Sequence, residues 1–122
     1  MNEDYLNRLE KMEFHIRLLA ESIDYSQHPM TLLVIENDWN ENDLDRVHDI
    51  FERFSKKIES GTTFSHHEFE REFMDELRIN YQELKSIVLA FFKNGQWVEV
   101  CLAYVKSFGD LPPIELKSII GL

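Results

Sequence analysis

One stretch of the chain, residues 96–108 with the sequence QWVEVCLAYVKSF, constrains the fold most, because as a helix it has almost no polar side. Only Glu99 and Lys106 form a narrow polar stripe, and apolar side chains cover most of the remaining circumference. The preceding Lys93-Asn94-Gly95 segment is typical of a helix end with a left-handed glycine cap. We therefore predict a central helix over residues 96–108 that other elements surround.

Length and cysteine content indicate one domain without disulfides. At 122 residues the chain is long enough to bury a single core without cross-links. Its one cysteine, Cys101, lies in the apolar stretch and is predicted to be a small buried hydrophobe rather than a reactive thiol. The start of the chain, MNEDYLNRLE, has no signal-peptide core, and no apolar run approaches the ~18 residues of a membrane span. These features predict a cytoplasmic protein that does not bind membranes.

The net charge of −10 is unevenly distributed along the chain. Residues 1–78 contain 19 acidic and 9 basic side chains, whereas residues 79–122 contain four of each. A negative field repels nucleic acid and anionic membranes, so we predict that the chain binds neither directly. The same field attracts basic proteins, which makes a basic protein the expected partner.

A helix predicted over about residues 3–24 is apolar on two opposite sides. One side, which we call the seam, consists of six residues with 4-3-4-3-4 spacing: Tyr5, Leu9, Met12, Ile16, Leu19 and Ile23. The other side carries Phe14, Leu18 and Tyr25. Such a helix is either enclosed within the bundle or shared with another subunit. We predict that the seam belongs to the monomer's core and that Phe14, Leu18 and Tyr25 form the interface of a homo-oligomer.

Capping and turn signals predict four more helices before residue 96. Each begins at a proline in the first helical position or at an Asn or Ser that can cap the backbone three residues later, and the Ser65-His-His-Glu68 capping box is the sharpest of these signals. The predicted segments are 29–35, 40–60, 65–77 and 80–94. We therefore predict an all-α, compact, single-domain bundle of five to six short helices over residues 1–108. Residues 109–122 form an apolar tail predicted to pack on the body or on a partner.

Three segments between residues 6 and 55 carry a resemblance to a known family: RLEKMEFHIRLLAESID, HPMTLLVIENDW and ENDLDRVHDIFERFS. They resemble the YhaI-like family of small, functionally uncharacterised helical proteins of bacilli, and the similarity continues more weakly through FFKNGQWVEVCLAYVKSF. The resemblance implies an all-α bundle capable of self-association. It implies no activity and supplies no functional residues, and the tail 109–122 has no counterpart in it.

The chain contains one group of side chains with the chemistry of a metal site. His66 and Glu70 are one helical turn apart and could ligate a divalent ion together with His67. Two or three ligands do not complete a site, and a surface first turn also explains these histidines. We therefore predict no metal ligands, no cofactor and no catalytic residues. The alternative is a metal-binding or metal-dependent hydrolytic protein that uses His and carboxylate ligands.

The densest negative charge lies in residues 36–52, which contain seven acidic residues and only one basic residue, Arg46. Such density is difficult to explain as stabilising, because like charges one turn apart repel each other. We therefore predict a partner-binding surface there, with Trp39 at its edge: Trp39, Glu41, Asp45, Asp49 and Glu52. The favoured function is a non-enzymatic adaptor, regulator or inhibitor of a basic partner such as a toxin ribonuclease or a DNA-binding protein.

Overall fold

The computed structural model describes residues 2–121, which form six α-helices and a C-terminal 3-10 helix and contain no strand. The helices are α1 (Glu3–Glu21), α2 (Pro29–Glu36), α3 (Glu41–Glu59), α4 (His66–Leu77), α5 (Tyr81–Lys93), α6 (Val98–Lys106) and the 3-10 helix (Ile114–Ile120). The all-α prediction is confirmed. The helix count differs slightly from the predicted five to six, because the tail adds the 3-10 helix. None of the helices within residues 2–121 is long and apolar enough to cross a membrane.

Reciprocal caps fix where α3 and α5 begin. At α3 the Asp43 N–H donates to the Asn40 side chain at 2.8 Å, and the Asn40 N–H donates to the Asp43 carboxylate at 3.0 Å. Asn80 and Glu83 make the same exchange at α5. Each exchange satisfies backbone donors that a helix start otherwise leaves unpaired. These two helices therefore start where local sequence alone places them.

At α4 only half of the predicted capping box forms. The Glu68 N–H donates to the Ser65 hydroxyl at 3.3 Å, as predicted. The Glu68 carboxylate does not return to the Ser65 backbone, because it pairs with the Lys57 ammonium of α3 instead. A contact between two helices has thus replaced one half of a local motif.

The core contains an aromatic cluster between α3, α4 and α5. The Phe51 ring of α3 lies at its centre, 5.5 Å from Phe69, 5.8 Å from Phe73 and 4.6 Å from Phe91 between ring centroids. All four side chains are completely buried. Burying a large aromatic side chain removes roughly 150–250 Å² from water, so these rings contribute strongly to stability. They also fix α4 against α3, which positions the charged residues described below.

α6 is shorter than the helix predicted over residues 96–108. Trp97 adopts a left-handed backbone conformation with φ of 52°, so α6 begins only at the next residue, Val98. Its indole Nε1–H donates to Nδ1 of His48 on α3 at 3.0 Å, which ties the start of α6 to α3. Four residues of α6 are completely buried: Val100, Cys101, Tyr104 and Val105. α6 packs against α3, α5 and the 3-10 helix, whereas α5 packs against α2, α4, α6 and the 3-10 helix, so the two helices share the centre.

The 3-10 helix lies against α5 and α6 of the same chain. Leu116 and Ile119 are buried in the core, while Ile114 remains 79% exposed. The Lys85 ammonium, on a side chain only 8% exposed, lies 3.1 Å from the Glu115 carboxylate. This ion pair and the two buried side chains attach the tail to α5.

Candidate functional site

α1 projects its side chains into solvent along its whole length. None of its 19 residues is buried, and none of the extensively packed helix pairs within residues 2–121 includes it. Eight large apolar side chains on α1 are about half exposed: Tyr5, Leu6, Leu9, Met12, Phe14, Ile16, Leu18 and Leu19. The prediction that the seam belongs to the monomer's core is therefore wrong. The core forms among the other helices, and α1 contributes no buried side chain to it.

The three residues predicted to form the oligomer interface do not lie together. Phe14 and Leu18 are on α1 and are 50% and 48% exposed. Tyr25 lies in the turn that follows α1 and is half-buried, with the Lys93 ammonium 5.0 Å from its ring centroid. Burial and the nearby Glu36 carboxylate raise the pKa of its hydroxyl. Tyr25 therefore belongs to the body of the protein, because α1 ends before it.

A groove of about 430 Å³ separates α1 from α2. Seven residues line it: Glu13, Ile16 and Arg17 of α1, Val34 and Ile35 of α2, and Asp38 and Trp39 of the following loop. Trp39 is half-buried and packs on the edge of the core. It therefore links the groove to the start of α3, at the edge of the predicted partner-binding surface.

The remaining predicted partner-binding residues lie on α3, and all are exposed: Glu41, Asp45, Asp49 and Glu52. We call these four residues the acidic face. Glu52 lies 3.5 Å from the Lys56 ammonium, and both side chains are mostly exposed. Within the described part of the chain, no lysine or arginine forms an ion pair with the other three carboxylates. Most of the negative charge on this face is therefore not neutralised by the protein itself.

The basic residues of α3 are used to hold α4. Arg53 donates to the carboxylates of Glu72 at 2.8 Å and Glu76 at 2.9 Å. Arg46 donates to the backbone carbonyl of Glu76 at 2.7 Å, and Lys57 pairs with the Glu68 carboxylate. All these pairs are at the surface, where each ion pair contributes little free energy, but together they fix the register of the two helices. They also explain why the acidic face has no basic neighbours on its own helix apart from Lys56.

His66, His67 and Glu70 converge at the start of α4. Glu70 Oε1 lies 3.7 Å from Nδ1 of His66 and 3.9 Å from Nδ1 of His67. One potential ligand atom from each of the three lies within 4.8 Å of the others, and among residues 2–121 this is the one group of three or more metal-ligating side chains. The histidines at 15, 28 and 48 do not join it. The structure thus brings together the three residues on which the metal-binding alternative depends.

Two contacts that matter for this region, one from α6 and one from the residues just after it, were not predicted. The Tyr104 hydroxyl, on a completely buried side chain, donates to Oε2 of Glu70 at 2.7 Å. The Phe108 ring stacks on His66, with centroids 4.1 Å apart and an interplanar angle of 21°. Burial and the Glu70 carboxylate together raise the pKa of Tyr104 far above its ordinary value, so its hydroxyl stays protonated and remains a donor. The apolar periodicity of α6 marked Tyr104 as a core residue, but no local signal pairs it with Glu70, 34 residues away.

Comparison with known proteins identifies a family. No curated protein matches the chain, and no solved structure matches it. Residues 1–107 match the model of a family described as "Protein of unknown function (DUF1878)". The matched segment contains α1 to α6 and ends before the 3-10 helix. Because it covers most of the chain, the protein belongs to this family of unknown function.

Proposed function

We propose that the protein is a non-enzymatic, cytoplasmic interaction protein that self-associates through α1 and binds a basic protein through the acidic face. The observation that carries this proposal is α1, a helix of 19 residues without a buried side chain. Most of the stability of a helix in a protein comes from tertiary packing of its apolar face, and no side chain of α1 is buried by such packing. Contact with a second surface would supply the missing stabilisation.

The exposed apolar area of α1 is sufficient for a stable interface. A large side chain offers on the order of 200 Å², so eight half-exposed ones present roughly 800 Å². The largest apolar patch of a typical monomer is about 300–600 Å², and each partner in a standard protein interface buries about 800 Å². The five exposed seam residues alone present roughly 500 Å² on one side of α1, at the upper end of what an isolated monomer exposes in one patch.

A second copy of α1 is the occupant that this surface fits best. The seam repeats with the alternating spacing of three and four residues through which helices pack against like helices. Phe14 and Leu18 face the opposite side, so α1 would be covered on both sides in the associated state. We therefore expect the α1 helices of two or more chains to pack together, with both strips in the interface.

Sedimentation equilibrium tests the self-association. The wild-type protein should form a dimer or a larger species, and Phe14→Glu combined with Leu18→Glu should shift it toward monomer. Leu9→Glu combined with Met12→Glu should do the same for the seam. Because none of these side chains is buried in the described structure, circular dichroism should show that both double variants remain folded.

A matched control separates apolar contact from charge. Arg17→Glu lowers the charge of α1 by the same two units at an exposed polar position that lies on neither apolar strip. This variant should self-associate more strongly than the double variants that remove apolar side chains. A wild-type protein that is monomeric at all concentrations would contradict the proposal, as would equal disruption by the control.

The role proposed for the acidic face is that of an adaptor, regulator or inhibitor of a basic protein. Its support is the arrangement on α3, where the basic side chains hold α4 and three carboxylates lack a cation. A basic partner captured from the native cell should be retained at low salt and released at high salt. Asp45→Lys with Asp49→Lys should slow its association, whereas Trp39→Ala should mainly speed its dissociation. Unchanged binding of the Lys variant would place the partner site elsewhere.

Kinship with the YhaI-like family of bacilli stays a prediction.

A further inference from the structure

We infer that His66, His67 and Glu70 form a binding site for a divalent transition-metal ion of the zinc type. Two imidazole nitrogens and one carboxylate oxygen suit Zn²⁺, whereas Mg²⁺ and Ca²⁺ prefer ligand sets made of oxygen. This site is independent of the surfaces proposed for protein binding, because none of its residues lies on α1 or α3.

The distances between the ligand atoms are close to those of a tetrahedral site. Bonds of ~2.0–2.1 Å at tetrahedral angles place ligand atoms about 3.4 Å apart. Glu70 Oε1 is 3.7 Å from Nδ1 of His66 and 3.9 Å from Nδ1 of His67, and the three residues offer ligand atoms within 4.8 Å of one another. Side-chain adjustments on the order of 1 Å would bring all three to bonding distance. His67 and Glu70 follow His66 by one and four residues along α4, and this spacing brings the three ligand atoms close together.

The polar atoms of the cluster are incompletely satisfied without a cation. Nδ1 of His66 is buried and has no hydrogen-bond partner within residues 2–121. The Glu70 side chain is only 20% exposed, and no lysine or arginine of the described residues pairs with it. Buried polar groups are usually paired, and buried charges are paired or coordinate metals. A metal ion would satisfy the nitrogen and neutralise the carboxylate at once.

Two partly buried contacts hold the ligands in place. The Tyr104 hydroxyl binds Oε2 of Glu70 and leaves Oε1 facing the imidazoles. Phe108 stacks on the His66 ring and restricts its rotation. Such supporting contacts are the usual means by which proteins orient metal ligands. His67 is 79% exposed, so the remaining coordination position faces solvent, where water would complete the site.

Calorimetric titration of the chelator-treated protein with zinc chloride tests the site. One ion per chain should bind, and His66→Gln or Glu70→Gln should each weaken the affinity by at least about tenfold. His67→Gln should do the same without disturbing the fold, since this side chain is mostly exposed. Tyr104→Phe should weaken binding by about 10- to 100-fold, because the carboxylate loses its orienting donor.

Two variants outside the cluster serve as controls. His15→Gln removes an exposed histidine of α1, and Glu68→Gln removes the neighbouring carboxylate that pairs with Lys57. Neither should change the zinc affinity. Cobalt bound in place of zinc should give the visible absorption of a tetrahedral ion, and His67→Gln should abolish it. Failure of zinc to bind saturably would overturn the inference, as would binding that His67→Gln and Glu70→Gln leave unchanged.

Discussion

Replacing Cys101 by aspartate places a negative charge at a position of α6 that has no solvent exposure. Burial raises the pKa of the Cys101 thiol from its ordinary 9.0 to about 12, which shows how strongly this position disfavours an anion. An increase of that size corresponds to about 4 kcal/mol. A domain of this size is stable by roughly 5–15 kcal/mol, so Cys101→Asp should remove a large part of the free energy of unfolding.

Urea unfolding of three variants measures this effect. Cys101→Asn has the same size as the aspartate variant but no charge, so at pH 7 it should be more stable than Cys101→Asp by about 4 kcal/mol. Glu99→Gln, on the exposed side of α6, should be close to wild type. The burial should also raise the pKa of the introduced carboxyl in the folded state. The difference between the Asp and Asn variants should therefore shrink as the pH falls below the raised folded pKa, and it should vanish near the unfolded pKa of ~3.9. Equal stability of Cys101→Asp and Glu99→Gln would refute the placement of α6 in the core.

Two further substitutions test the surface charges. Asp45 stands one helical turn from both Glu41 and Asp49. Each such like-charge pair destabilises the helix by about 0.2–0.5 kcal/mol. Asp45→Asn removes both pairs and should therefore raise the free energy of unfolding by about 0.5–1 kcal/mol at low salt. Glu52→Gln, which loses the nearby Lys56, should give no such gain, and a destabilised Asp45→Asn would contradict this account of the acidic face. At the tail, a hydrogen bond from the Glu115 backbone, and then one from Lys85, lowers the pKa of the Glu115 carboxyl. The Glu115 carboxylate therefore stabilises the fold above its unfolded pKa of ~4.3. This contribution is lost as the pH falls through the lower pKa of the folded state. Glu115→Gln should therefore lower the melting temperature at neutral pH and lower it less near pH ~3, whereas equal effects at both pH values would exclude this role.

Features that depend on local sequence were predictable in this protein. The Asn40–Asp43 and Asn80–Glu83 caps involve backbone donors three residues away, so the sequence contains both partners of each contact. Ser65 and Glu68 show the limit of this reasoning. Their box is half-formed because Lys57, from another helix, competes for the Glu68 carboxylate. Local patterns thus predict helix starts until a tertiary contact offers a better partner.

The apolar periodicity of α1 predicted a helix but assigned its seam to the wrong environment. Spacing identifies which side chains share a face, and it contains no information about what covers that face. The cluster of His66, His67 and Glu70 shows the same limit. The one-turn spacing of His66 and Glu70 was visible in the sequence, but the Tyr104 hydroxyl that supports it depends on how α6 lies against α4. The relative positions of helices were therefore the part that periodicity could not supply.

The exposed apolar side chains and the unpaired carboxylates described above are concentrated in the first half of the chain. Eight of the 13 exposed large hydrophobic side chains in the described structure lie on α1, and the unpaired carboxylates of the acidic face follow on α3. The basic residues Arg46, Arg53 and Lys57 contact α4 and fix its register against α3. They therefore do not pair with the carboxylates of the acidic face. Trp39 lies between the two regions, since it lines the groove beside α1 and precedes α3. A partner that contacts Trp39 would therefore meet apolar surface on one side and negative charge on the other, which is the combination expected of a basic, amphipathic protein surface.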